Sequence, residues 1–225
     1  MSTTITRHPE AATLVSFAAG TLAEPLAAVV ASHAAMCRQC RAELVDLDLF
    51  GAALLLGQPG AAGRDQDIVP VTLATDRMAT VGNGRSRDRF SRAVDAAERL
   101  PGPIALAYNL SFATVPWKRL GPGVWHHRLF LSEGTEGDLR LLKIGPGRQM
   151  PDHGHGGDEL TLILDGSFSD VTGEYHCGDL QDVDEGVEHK PLTDKVTGCV
   201  CLIASERPAR FKSVIGRLIL PLTGM

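Results

Sequence analysis

The sequence lacks several features that would assign it to common functional classes. No apolar run approaches the roughly 18 residues that a membrane-spanning helix needs, and the N-terminus has no apolar signal-peptide core. We therefore expect a cytoplasmic chain. The net charge is −5 and neither half carries a basic surplus, which argues against a nucleic-acid-binding surface. An odd number of cysteines, five, does not suggest a disulfide framework, so metal binding or plain burial is expected instead.

The composition changes near residue 100. Alanine-rich segments with helical periodicity precede this point, and short β-type segments separated by glycine and aspartate follow it. Helices followed by strands, without alternation, predict two separate domains. We predict a helical domain over residues 1–84, a linker over 85–102 and an antiparallel β-domain over 103–225. For the linker region, a helix packed on the β-domain is an equally good prediction.

The helical half contains a pattern typical of zinc ligands. We predict helices from about residue 9 to 19, 24 to 37, 41 to 56 and 68 to 80. His33 and Cys37 are four residues apart and can face one point, and Cys37 and Cys40 form a C-x2-C turn suited to thiolate binding. His8, at the start of the first helix, is the candidate fourth ligand. A Cys2His2 set fills all four coordination positions of zinc and is therefore expected to be structural. The alternative interpretation is that the cysteines are simply buried beside a histidine that caps a helix.

The β half contains a second candidate metal site. His153 and His155 are two residues apart and share one face of an extended strand, and Glu159 follows a Gly-Gly turn. Two imidazoles and one carboxylate suit Zn, Fe, Mn, Ni or Cu and leave a coordination position open. Residues 160–164 predict a strand, closed by a hairpin at Asp165-Gly166. A solvated polar turn is the alternative.

The spacing G-x5-H-x-H-x3-E-x6-G resembles the first motif of the cupins, antiparallel β-barrels of the jelly-roll type. A looser second motif keeps two glycines and His189, but it has Asp184 where cupins usually carry proline and Thr193 where they usually carry asparagine. The resemblance implies zinc or another divalent transition metal held by His153, His155, Glu159 and His189. His176 is the competing candidate for the fourth ligand.

The H-x3-C-x2-C pattern between two amphipathic helices, a histidine near the N-terminus and a C-terminal cupin together resemble the ChrR type of zinc anti-sigma factor. Residues 18–22, 152–155, 159–162 and 199–201 add to this similarity. The resemblance implies a regulatory protein rather than an enzyme. Its helical domain would bind and inhibit an extracytoplasmic-function (group IV) sigma factor, and its cupin would sense singlet oxygen or organic peroxides and trigger release.

Apolar positions on the first two helices are the expected sigma-factor contacts, since so small a helical module cannot bury them by itself. They are Leu14, Phe17, Leu22 and Leu26. Cys199 and Cys201, two apart on one strand face, predict β-core packing, with a redox or soft-metal role as the sharper alternative. Two other functions stay open. One is a cupin dioxygenase or isomerase with a helical oligomerisation arm; the other is an anti-sigma factor switched by a Cys37–Cys40 disulfide that ejects zinc.

Overall fold

The computed structural model describes residues 4–57, 100–154, 156–207 and 210–211. The predicted helix at 68–80, nearly all of the predicted linker, His155 and most of the last predicted strands lie outside these residues. Within the described ranges, no helix is long and apolar enough to cross a membrane.

Four helices lie in the described residues: α1 Ala11–Ala18, α2 Glu24–Met36, α3 Arg38–Leu56 and α4 Gly102–Tyr108. Helix α2 begins with Glu24 and Pro25, which suit the positive end of a helix. One extended residue, Cys37 (φ −99°, ψ 115°), separates α2 from α3. The two helices therefore change direction at the C-x2-C sequence, and the prediction of helices on either side of it is confirmed.

Helix α4 overlaps the start of residues 103–225, the segment for which we predict an antiparallel β-domain. Proline in the first turn of a helix loses no hydrogen bond, so the Pro-Gly-Pro sequence at residues 101–103 is compatible with the start of α4. The first strand begins only at Lys118.

The rest of the chain forms antiparallel sheets. The strands are β1 Lys118–Gly121, β2 Val124–Arg128, β3 Asp138–Ile144, β4 His153–Gly154, β5 Glu159–Asp170, β6 Gly173–His176, β7 Leu180–Val183, β8 Glu188–His189, β9 Leu192–Thr193, β10 Cys199–Ser205 and β11 Arg210–Phe211. Strands β1-β2-β3-β10-β5-β6 form the main sheet, to which β7 and β9 add through β5; β11-β4-β8 form a second, smaller sheet. The predicted class, a helical region followed by a jelly-roll cupin, is confirmed, although among the described residues the main sheet does not close on itself.

Strand β5 corrects the predicted hairpin at Asp165-Gly166. The strand passes straight through both residues to Asp170, and the register with β10 shifts just before them, at Leu164. Gly166 has a positive φ, and a Cβ there would clash with the carbonyl group of Gly198, so this glycine permits a close approach between two strands rather than a turn. The chain reverses after Asp170, which is therefore the last residue of β5 and pairs with Gly173 in β6.

The helices and the sheet share one hydrophobic core. Leu14, Leu26 and Val29 from the helices belong to the same buried cluster as Leu141 and Leu202 from β3 and β10. On the opposite face of the sheet, a second cluster includes Leu142, Phe168, Cys199 and Cys201. Both cysteines are thus packed in the β-core. The predicted division into residues 1–84, 85–102 and 103–225 stays a prediction.

Candidate metal centres

The structure brings His8, His33, Cys37 and Cys40 together, with one potential ligand atom of each within 4.8 Å of the others. His33 comes from the last turn of α2 and Cys40 from the first turn of α3, while His8 lies in the extended segment before α1. His8 Nδ1 is 3.5 Å from Cys37 Sγ and 3.3 Å from Cys40 Sγ. His33 Nε2 is 3.3 Å from Cys40 Sγ.

These distances fit a tetrahedral zinc site. With bonds of about 2.05 Å to nitrogen and about 2.3 Å to sulfur, the nitrogen–sulfur edges of such a tetrahedron are about 3.5 Å long. His33 Nδ1 donates a hydrogen bond to the carbonyl oxygen of Gly178 at 3.0 Å, and because a carbonyl can only accept, Nε2 carries the lone pair. The group is therefore compatible with zinc in both distance and tautomer.

Burial keeps His33 and Cys40 uncharged in the absence of a cation. Burial, and then repulsion from His8, lowers the pKa of His33 to about 4, so its imidazole is neutral at pH 7. Burial, and then the neighbouring Cys37, raises the pKa of the Cys40 thiol to about 12. A dication supplies the compensating charge that stabilises the thiolate.

Zinc binding to the full chain is therefore expected to release protons and to strengthen as pH rises from 6 to 8. Below a pKa of about 12 the Cys40 thiol is protonated, so protons compete with the metal, and each displaced proton makes the affinity about tenfold higher per pH unit. Calorimetry in buffers of different ionisation enthalpy measures this release. Cys177→Ser, which alters a cysteine outside both metal groups, should give the same value; an affinity independent of pH would contradict the assignment.

In the β-region formed by β1 to β11, which we call the barrel, His153, Glu159 and His189 form a second group. Their potential ligand atoms lie within 4.8 Å of one another. His153 in β4 lies directly opposite His189 in β8, and Glu159 begins β5. All three side chains are buried. His155, the remaining predicted ligand, lies outside the described residues. His176 is not part of the group; it lies on the surface, 3.5 Å from Glu174.

Hydrogen bonds set the tautomers of both barrel histidines. His189 Nδ1 donates to Asp170 Oδ2 at 2.7 Å, and His153 Nδ1 donates to the carbonyl oxygen of Pro151 at 2.8 Å. The two Nε2 atoms consequently face each other at 3.2 Å. Opposed nitrogen lone pairs at this distance require a proton or a cation between them, and two imidazoles with a carboxylate suit a divalent transition metal.

Asp170 is the functional residue that sequence reasoning missed. Burial alone would raise the pKa of Asp170, but hydrogen bonds from His189, Thr172 and Gln181 together hold it well below its usual range. The carboxylate is thus an ionised partner that orients His189. Only the full length of β5 would have pointed to Asp170. The predicted hairpin at Gly166 ended the strand too early to include it.

A cavity of about 430 Å³ opens beside the barrel group. His153, Glu159, His189 and Gln181 belong to the polar part of its wall, which also includes charged residues such as Arg140. Most of the remaining wall is apolar and includes Leu142, Ile144, Met150, Phe168, Cys199 and Cys201. The barrel can thus admit a small, largely apolar molecule next to its candidate metal ligands.

The predicted sigma-factor contacts, Leu14, Phe17, Leu22 and Leu26, stay a prediction, but the structure shows how exposed each of them is. Leu14 and Leu26 are buried between the helices and the sheet, and Phe17 and Leu22 are partly buried against the same core. In this structure the chain's own β-sheet packs against this stripe. Exposed apolar side chains lie instead along α3: Val45, Leu49, Phe50, Leu54, Leu55 and Leu56.

Three comparisons with known proteins all find similarity to ChrR, and two of them extend over nearly the whole chain. The family model described as the ChrR cupin-like domain matches residues 108–208. The anti-sigma-E factor ChrR of Cereibacter sphaeroides is 37% identical over 220 residues, 97% of this chain and 98% of that protein. A crystal structure of Rhodobacter sphaeroides SigE in complex with the anti-sigma ChrR matches with a TM-score of 0.69 and 34% identity, covering 90% of this chain and 100% of the matched chain. The chain belongs to the ChrR family of anti-sigma factors.

Proposed function

We propose that this chain is an anti-sigma factor that binds and inhibits an extracytoplasmic-function sigma factor. The observation that carries the proposal is the end-to-end similarity to ChrR, including a match to a structure in which ChrR is bound to SigE. We further propose that the cupin senses singlet oxygen or organic peroxides and triggers release of the sigma factor.

In this proposal His8, His33, Cys37 and Cys40 hold a structural zinc ion. They join the N-terminal segment to α2 and α3 at the point where the chain changes direction. Zinc, when bound, contributes folding energy directly. His153, Glu159 and His189, with His155, would hold zinc or another divalent transition metal in the barrel.

We place the sigma-factor contact on α3 rather than on the buried stripe of α1 and α2. Phe50 is 63% exposed and Leu54 is 53% exposed, four residues further along the helix. Leu49 and Leu55 extend this apolar surface. Contiguous exposed apolar side chains of this kind mark protein-interaction surfaces.

Co-expression with an extracytoplasmic-function sigma factor from the same organism tests the proposal. We expect a one-to-one complex that survives size-exclusion chromatography and cannot associate with core RNA polymerase. A primary sigma factor is the matched control and should not co-purify. If the chain and the extracytoplasmic-function sigma factor elute separately at micromolar concentrations, the proposed function is wrong.

The substitution Phe50→Ser is expected to weaken this complex by about tenfold or more. Phe50 would become buried against the sigma factor in the complex, and truncating an aromatic side chain at such a position removes a typical interface hot spot. Phe130→Ser is the matched control, because Phe130 is 83% exposed on the barrel and undergoes the same chemical change. Biolayer interferometry with the immobilised sigma factor measures both. Equal affinities for the two variants would exclude the α3 surface as the contact.

A metal-dependent dioxygenase or isomerase is the second candidate function, and the cavity beside His153, Glu159 and His189 favours it. Turnover of a small organic substrate by the metal-loaded full chain would support this function. If the same preparation also failed to bind the sigma factor, the enzymatic function would replace the anti-sigma function as the better-supported proposal.

A further inference from the structure

The two metal groups are connected by one short piece of chain, residues 178–182, which we call the coupling segment. It contains the turn after β6 and most of strand β7. One side of it contacts the N-terminal Cys2His2 group, and the other contacts the carboxylate that orients His189.

On the helical side, the coupling segment contacts a ligand of the Cys2His2 group directly. The carbonyl oxygen of Gly178 accepts the hydrogen bond from His33 Nδ1 at 3.0 Å. Gly178 has a φ of +94°, and a Cβ there would lie 2.6 Å from the Ile5 side chain. Only glycine therefore allows this close approach without strain.

The segment also holds the N-terminal residues that flank His8. Asp179 Oδ1 accepts hydrogen bonds from the backbone N–H groups of Thr6 and Arg7 at 2.7 and 3.0 Å. The N–H of Leu180 donates to the carbonyl oxygen of Arg7 at 3.1 Å. Asp182 accepts from the N–H of Glu10 at 2.9 Å. His8 is thus positioned by backbone contacts on both sides.

On the barrel side, Gln181 reaches the support of His189. The side chain is almost fully buried, and its Nε2 donates to Asp170 Oδ2 at 2.8 Å and to Thr172 Oγ1 at 2.7 Å. Asp170 Oδ2 also accepts the hydrogen bond from His189 Nδ1. Asp170 Oδ2 therefore accepts hydrogen bonds from both His189 and Gln181. The neighbours of Gln181 in β7, Leu180 and Asp182, contact the N-terminal segment.

We propose that residues 178–182 couple the barrel metal group to the N-terminal Cys2His2 group, with Asp170 and Gln181 as positioning residues. A change in the ligation of His189 moves Asp170, Asp170 moves Gln181, and β7 transmits this shift to His8 and His33. Buried networks of this kind act together because each hydrogen bond depends on its neighbours. The inference rests on the proposed function for its biological meaning, since it gives the route by which a signal in the barrel would loosen the helices.

Hydrogen exchange on the zinc-loaded full chain tests the coupling without any sigma factor, so its failure is distinguishable from failure of the proposed function. Glu159→Gln weakens the barrel metal group. We expect this change to accelerate exchange at the amides of Thr6, Arg7 and Leu180 by about five- to tenfold, the effect of losing one hydrogen bond. Zinc transfer from the Cys2His2 group to a chromogenic chelator should accelerate in parallel.

A double-mutant cycle isolates the route. In the Gln181→Met background, which lacks the donor to Asp170, Glu159→Gln should add no further acceleration. In the Thr193→Val background the full effect should persist, because Thr193 lines the same cavity but bonds to Gly145 and Arg148. If Gln181→Met does not fold, Thr172→Val, at a partly exposed turn, removes one of the two hydrogen bonds of Gln181 Nε2 and should reduce the acceleration that Glu159→Gln adds. Unchanged exchange in Glu159→Gln, or equal effects in all backgrounds, would overturn the coupling.

Discussion

Replacing Cys40 with serine is expected to remove zinc from the N-terminal group and abolish inhibition of the sigma factor. Cys40 is fully buried, and its Sγ lies 3.3 Å from both His8 and His33, so it is the shared contact of the group. A structural zinc ion contributes about 10–16 kcal/mol to folding. Loss of one of four ligands should therefore lower zinc affinity by at least about a thousandfold.

Elemental analysis and sigma-dependent transcription measure the two consequences on one preparation. Cys177→Ser is the matched control, since Cys177 is a partly buried thiol that donates to the carbonyl oxygen of Leu164 and lies outside both groups. It should retain zinc and inhibition. A Cys40→Ser protein that still inhibits with normal affinity would show that zinc does not fix the sigma-binding conformation.

Replacing His189 with alanine is expected to empty the barrel group and to block the stress response. Sigma-factor binding should be retained, because this substitution also removes the side chain through which the barrel group acts on Asp170. His189 faces His153 at 3.2 Å and is held by Asp170, so its loss removes a ligand and leaves the buried Asp170 carboxylate without its imidazole partner. We expect barrel metal affinity to fall at least about tenfold. Release of the sigma factor by singlet oxygen or an organic hydroperoxide should then be lost.

The matched control for this second substitution is His176→Ala. His176 is a surface histidine of the same barrel, and we expect its replacement to change neither metal content nor response. If His189→Ala responds to peroxide as well as the unmodified chain does, the barrel is not the sensor. The alternative switch, a Cys37–Cys40 disulfide that ejects zinc, would then account for release.

Local spacing predicted which side chains lie together in the two groups; that they bind metal stays a prediction. His33, Cys37 and Cys40 meet because they lie within eight residues at the junction of two helices, a geometry that sequence offsets determine. His153 and Glu159 are similarly close in the chain. His8 and His189 join them through tertiary contacts, and the family resemblance rather than geometry made His189 predictable.

The errors arose where long-range packing decides local structure. Gly166 looked like a turn residue, but it lies inside β5 and permits a close approach to Gly198, a residue 32 positions away. Asp170 could not be found without the true length of β5. The stripe containing Leu14 and Leu26 correctly indicated burial, but periodicity does not say whether a partner protein or the chain's own barrel covers it.

Transcription reconstituted from purified components tests the central claim most directly. Core RNA polymerase and the extracytoplasmic-function sigma factor would be combined with equimolar zinc-loaded full chain, or with the same chain after zinc removal by a chelator. We predict that the zinc-loaded chain represses transcription almost completely and that the zinc-free chain does not, with repression restored when zinc is added back. Equal transcription with and without the zinc-loaded chain would contradict the account.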